Sequence, residues 1–123
     1  MIPKSFATKE EFVTAVRAQT KALAARIIFL CRELPPTEEA RVVGRQLLRS
    51  ATSVGANYRA VCRARFKAEF FAKVSVTLEE ADETQLWLEL IAETNILPAP
   101  RLQSLLEDYG QIVAILTTAR AST

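Results

Sequence analysis

Arginines and carboxylates are the chemistry-bearing side chains that this sequence groups, and it groups them in separate stretches. Between Arg41 and Lys73 stand eight basic residues and one acid, Glu69; between Glu79 and Asp108 stand eight acids and one base, Arg101. Guanidinium forks match phosphate and carboxylate oxygens, and clustered carboxylates are the raw material of a metal site. The chain has no histidine. That removes the commonest general base and metal ligand, and with it the Glu-x-x-His pairs that di-metal carboxylate bundles use. Glu79, Glu80, Asp82, Glu83, Glu89 and Glu93 therefore read as an ion-paired or solvated face. Cys31 and Cys62 have neither a histidine to activate them nor metal-ligand spacing. No glycine-rich loop precedes a helix, so no phosphate cradle is visible. No enzyme activity, metal or cofactor is expected.

The arginines leave two readings open. Arg41, Arg45, Arg49, Arg59 and Arg63 share an arc of about 80° on an ideal helix. As a functional patch they would sit on phosphates; as a structural feature they would pair with the acids downstream. The near-equal and opposite local charges favour pairing for Arg41, Arg45 and Arg49. In an antiparallel hairpin Arg59, Arg63, Arg65 and Lys67 lie beside a stretch with few acids, and they are the candidate nucleic-acid contacts. Lys73 falls near Glu69 (i−4) and Glu80 (i+7), on the face of Trp87. With Glu83 these residues are expected to form a partly buried charge network.

Four helices must position these groups. Half of the 123 residues are hydrophobic and only three are glycine, which favours one domain of long helices. The first helix spans about 9–33. Thr8 followed by Glu11 reads as a capping box, Phe12, Val16, Leu23, Ile27 and Leu30 form a stripe, and Pro35-Pro36 ends it. The second spans about 37–64, with Thr37 as N-cap; Gly44 and Gly55 on its apolar side would admit a close neighbour. The third, about 66–94, is apolar nearly all round. Such a helix is buried on most sides, one of them against another subunit. Phe70, Phe71 and Trp87 of this helix, with Tyr58 of the second, are the candidate core or oligomer anchors. The fourth spans about 100–120. Short connections make neighbours antiparallel, giving an all-α, up-down four-helix bundle over residues 1–123.

Cellular context is bounded more loosely. Two cysteines do not make a disulfide scaffold, and reduced thiols suit a cytoplasmic protein. The N-terminus lacks the apolar core of a signal peptide. The most apolar run, Ala22 to Cys31, is interrupted by Arg26 and too short to span a bilayer, so no membrane role is expected.

The run RQLLRSATSVGANYRAVCRARFKAEFFAKVSVTLEEADETQLWLELI, residues 45–91, resembles the bacterial four helix bundle protein family. That family includes proteins encoded in intervening sequences of large-subunit ribosomal RNA genes, and it is similar in fold to the accessory variability determinant of diversity-generating retroelements. The resemblance rests on Arg49-Ser50-Ala51, Ser53-Val54, Ala56-Asn57-Tyr58-Arg59, Phe70, Lys73, Glu80, Glu83-Thr84 and Trp87-Leu88. Where many members carry an acidic residue and glycine after the asparagine, this chain has Tyr58-Arg59-Ala60, as a sub-branch would. The resemblance implies a ring-like homopentamer. For the retroelement relative it implies a reverse transcriptase partner and a basic nucleic-acid-binding surface. The expected function is a homo-oligomeric scaffold that binds RNA or DNA weakly and without sequence specificity. The alternative is an adaptor for a protein partner, with no nucleic acid bound.

Overall fold

A computed structural model describes residues 8–123. Its helices are α1 (Lys9–Cys31), α2 (Glu38–Cys62), α3 (Lys67–Glu93) and α4 (Gln103–Ala121), with a 3-10 turn at Ala99–Arg101 before the last. Thr8 and Thr37 cap α1 and α2 as expected, their hydroxyls accepting the backbone N–H of Glu11 and Ala40. These bonds satisfy donors that a helix start leaves without intrahelical partners.

Boundaries differ from expectation at the ends of α1 and α2 and at the start of α4. α1 ends at Cys31, where Arg32 and Glu33 bond to the carbonyls of Phe29 and Leu30. This i→i+3 tightening closes the helix before the two prolines, whose rings disfavour helical geometry in the residue ahead of them. α4 begins at Gln103 because Pro98 and Pro100 cannot donate backbone bonds; the chain makes the 3-10 turn first. α3 stops in a left-handed residue, Asn95 (φ 58°). There Asn95 and Ile96 N–H groups bond back to Ala92 and Ile91 carbonyls, the pairing of a Schellman cap.

The helices run up and down in order. α2 packs most extensively on α3, and of the adjacent pairs α1 and α4 touch least. Val16, Leu23 and Ile27 of α1 meet Leu47, Ala51 and Val54 of α2, Val74, Ala81 and Leu88 of α3, and Tyr109, Ile112 and Leu116 of α4 in one core. Polar ties cross its seams. The buried hydroxyls of Ser50 and Thr84 lie 2.9 Å apart between α2 and α3. Asp108 of α4, nearly buried, accepts from Arg26 of α1 at 2.7 Å.

The two glycines of α2 meet different neighbours. A Cβ on Gly44 would meet Leu34 Cδ1 at 2.6 Å. On Gly55 it would lie 3.7 Å from the nearest atom, the Thr20 carbonyl oxygen, an ordinary contact. Phe71, an expected core or oligomer anchor, is 42% exposed and lies under the guanidinium of Arg120, 4.9 Å from its ring centre. Tyr58 is buried, and Phe70 and Trp87 are half-buried.

Candidate functional site

The bases of α2 divide between its two flanks. Arg49 stands at the edge of the arginine arc nearest α3, and its guanidinium donates to Glu83 and, at 3.4 Å, to Glu80. Trp87 Nε1 donates to the same Glu83 carboxylate at 3.1 Å. The indole N–H and then the guanidinium hold the Glu83 carboxyl below its usual range. The Glu83 hydrogen bond and charge push Arg49 higher still. At this position the pairing reading describes the molecule.

The expected network goes no further. Lys73 is exposed and forms no salt bridge with a described residue. Glu80 lies seven residues along the same helix from it, about 10 Å of rise, whereas Arg49 reaches Glu80 across the seam in one step. Lys73 contributes least to holding the Glu69 carboxyl low. Arg41 pairs with Glu38 of its own helix at 3.0 Å rather than with α3, and Arg45 forms no salt bridge with a described residue. Both line a groove of about 420 Å³ with Pro35, Pro36 and Leu48, on the side of α2 that meets α1.

Arg59 and Arg63 follow Arg41 and Arg45 by eighteen residues, five full turns, so they stand on that same α1-facing flank. Both are exposed, as is Lys67, and none of the three forms a salt bridge with a described residue. Arg65 departs from expectation. Its guanidinium pairs with Glu69 at 3.1 Å, and its backbone N–H donates to the other carboxylate oxygen at 2.8 Å. The N-cap of α3 is Phe66, which offers no side-chain acceptor; Glu69 in the first turn instead accepts the N–H of Arg65, just ahead of the helix, and holds that residue's guanidinium as well. The two bonds from Arg65 hold the Glu69 carboxyl below its ordinary value.

Sequence reasoning missed Arg17. On α1, its charge acts on both the Tyr58 hydroxyl and the Cys62 thiol, which places it beside the end of α2. The helix register, which no local sequence pattern states, brings it there. Thr20 opposes Gly55, so three residues back on α1 faces three residues on along α2, at Tyr58. Lys21, one turn from Arg17, is also exposed. The basic surface therefore crosses from α1 to α2 with Arg17, Arg59 and Arg63, and Lys67 follows at the first position of α3, past the turn that ends α2; Arg65 is not part of it.

No thiolate chemistry accompanies it. Cys31 and Cys62 are half-buried, and burial raises both thiols, which lowers the fraction of reactive thiolate at neutral pH. Among the described residues no group of three Cys, Asp or Glu side chains could hold a metal ion, and no helix is long and apolar enough to cross a membrane.

Residues 14–118 match the family model described as 23S rRNA-intervening sequence protein. No curated protein matches the chain. Among solved structures, the chain is similar to a Bacteroides thetaiotaomicron protein of unknown function from the S23 ribosomal protein family. The two are 33% identical, with a TM-score of 0.79 over 85% of this chain and 97% of the other. With that match covering most of a four-helix bundle, the chain belongs to the 23S rRNA-intervening sequence protein family.

Proposed function

We propose that this protein is a non-enzymatic helical scaffold that assembles with copies of itself, five being favoured, and binds RNA or DNA through the α1-facing flank of α2. The observation that carries the nucleic-acid reading is the set of exposed cations, Arg17, Arg59, Arg63 and Lys67, that no described carboxylate neutralises. Guanidinium and ammonium groups on one surface contact phosphates without reading bases. Repetition around a ring would add avidity to each weak contact. Assembly is supported by the outward face of α3, where Val76 and Leu86 are 45% and 46% exposed and Trp87 and Leu90 are half-buried. These four occupy an arc of about 100° on an ideal helix.

Fluorescence anisotropy with a generic RNA and a generic DNA across a salt series tests the binding. The expectation is micromolar-order affinity at low salt, blind to sequence and falling steeply as salt rises by counterion release. Light scattering tests the assembly, with an expected mass near five times the 13.7 kDa of one chain; a monomer contradicts it. The second reading is an adaptor for a protein partner such as a reverse transcriptase. It is favoured by Phe66, 58% exposed at the start of α3, and it takes first place if no nucleic acid binds at low salt.

A further inference from the structure

Where α1 and α3 begin and α2 and α4 end, the bundle does not close. A pocket of about 580 Å³ opens there, within the range of small-molecule sites between helices. Its walls come from all four helices: Phe12 and Val13, Tyr58, Phe70 and Val74, and Ile115. The gap follows from the fold, since of the adjacent pairs α1 and α4 touch least. The Arg26–Asp108 pair that ties these two helices sits toward the opposite end of the bundle.

The pocket's polar features have one sign. None of the described lining residues is acidic, and Lys9 is among them. On α1, Lys9, Val13 and Arg17 follow at four-residue steps and so share a face. Arg17 lies close enough to act on Tyr58 and Cys62, which also line the pocket. Neither Lys9 nor Arg17 forms a salt bridge with a described residue. We propose that this pocket binds an unbranched aliphatic carboxylate, the tail among Phe12, Val13, Phe70 and Ile115 and the carboxylate between Lys9 and Arg17. The inference shares only Arg17 with the proposed nucleic-acid surface; the pocket is internal to one bundle and its tail contacts involve no residue of that surface, so dependence on chain length reads it apart from nucleic-acid binding.

Displacement of a fluorescent fatty-acid analogue from the full chain tests it, with octanoate, decanoate and dodecanoate as competitors. Affinity should rise about fourfold per methylene added, the signature of burying each in an apolar wall. Ala119→Trp, which fills the pocket from α4, should abolish displacement with helicity unchanged. If that variant does not fold, Val13→Trp fills it from α1 and carries the same expectation. Lys9→Glu with Arg17→Glu should weaken decanoate about tenfold and leave decanol unchanged, as loss of one charge-assisted contact predicts. No saturable binding, no dependence on chain length, or equal loss for acid and alcohol overturns the proposal. So does binding seen only in a chain starting at Thr8, which would assign the pocket to the chain's own first residues.

Discussion

The two flanks of α2 carry the same residue type to opposite ends. On the flank toward α3, Arg49 is held by Glu80 and Glu83, with Trp87 bonded to the second of these. On the flank toward α1, Arg45, Arg59 and Arg63 form no salt bridge with a described carboxylate, and Arg17 of the neighbouring helix adds a further cation beside them. All of these α2 arginines lie within one arc of about 80°. For Arg49, Arg59 and Arg63, whether the arginine is structural or available therefore follows what the adjacent helix presents in register. α3 presents acids opposite the middle of α2; α1 presents Arg17 opposite its end.

The largest expected effect breaks the comparison at its base. Leu47 is fully buried on α2, and Leu47→Ala should cost about 2–5 kcal/mol in chemical denaturation, the range for such truncations. A loss well below that would mean that the core does not fix the register that sorts the arginines. The α1–α2 seam offers a sharper contrast. Gly55→Ala should stabilise the protein by up to about 1 kcal/mol, because the helix gains propensity and the new methyl meets only ordinary contact. Gly44→Ala should gain less, since Leu34 must move away from a 2.6 Å encounter. Equal gains would show that Leu34, in the turn after α1, yields to the new methyl at no cost.

The smallest expected effect is on pH dependence. The Glu83 carboxyl is held below its ordinary value in the folded chain, so the folded state binds its proton less readily than the unfolded state. Its contribution is present above the unfolded value of about 4.3 and is lost as pH falls through the lower, folded value. Melting temperature should therefore drop between about pH 5 and pH 3, and Glu83→Gln should flatten that drop. An identical acid profile in the variant would show that Trp87 and Arg49 do not hold this carboxylate in solution.

The helices were legible because proline pairs, threonine caps and apolar spacing are local signals. The Arg49–Glu83 pair was legible too, because near-equal opposite charges faced each other across a short hairpin. Arg65 was not. Its loss to Glu69 depends on its guanidinium and its backbone N–H both reaching one carboxylate, a matter of the turn's local geometry. Lys73 was misplaced because helical spacing gives a shared face but not reach, and Arg49 arrives at Glu80 from another helix. Arg17 was missed because it belongs to the surface only through the Thr20–Gly55 register, which no local pattern states. The open end of the bundle is a property of how four helices diverge and has no signature along the chain.

The central claim is that Arg17, Arg59 and Arg63 are available to a nucleic acid and that Arg49 and Arg65 are not. It is tested most directly by comparing two sets of replacements in one anisotropy assay at low salt. Arg17→Glu, Arg59→Glu and Arg63→Glu together should lower affinity for a generic RNA at least tenfold, and they should flatten the salt dependence by roughly 0.7 in log–log slope for each phosphate contact removed. Arg49→Gln with Arg65→Gln, both already held by carboxylates, should leave affinity within about a factor of two, as expected for residues outside the contact surface. Equal losses from the two sets, or an unaltered affinity in the first, would contradict the account.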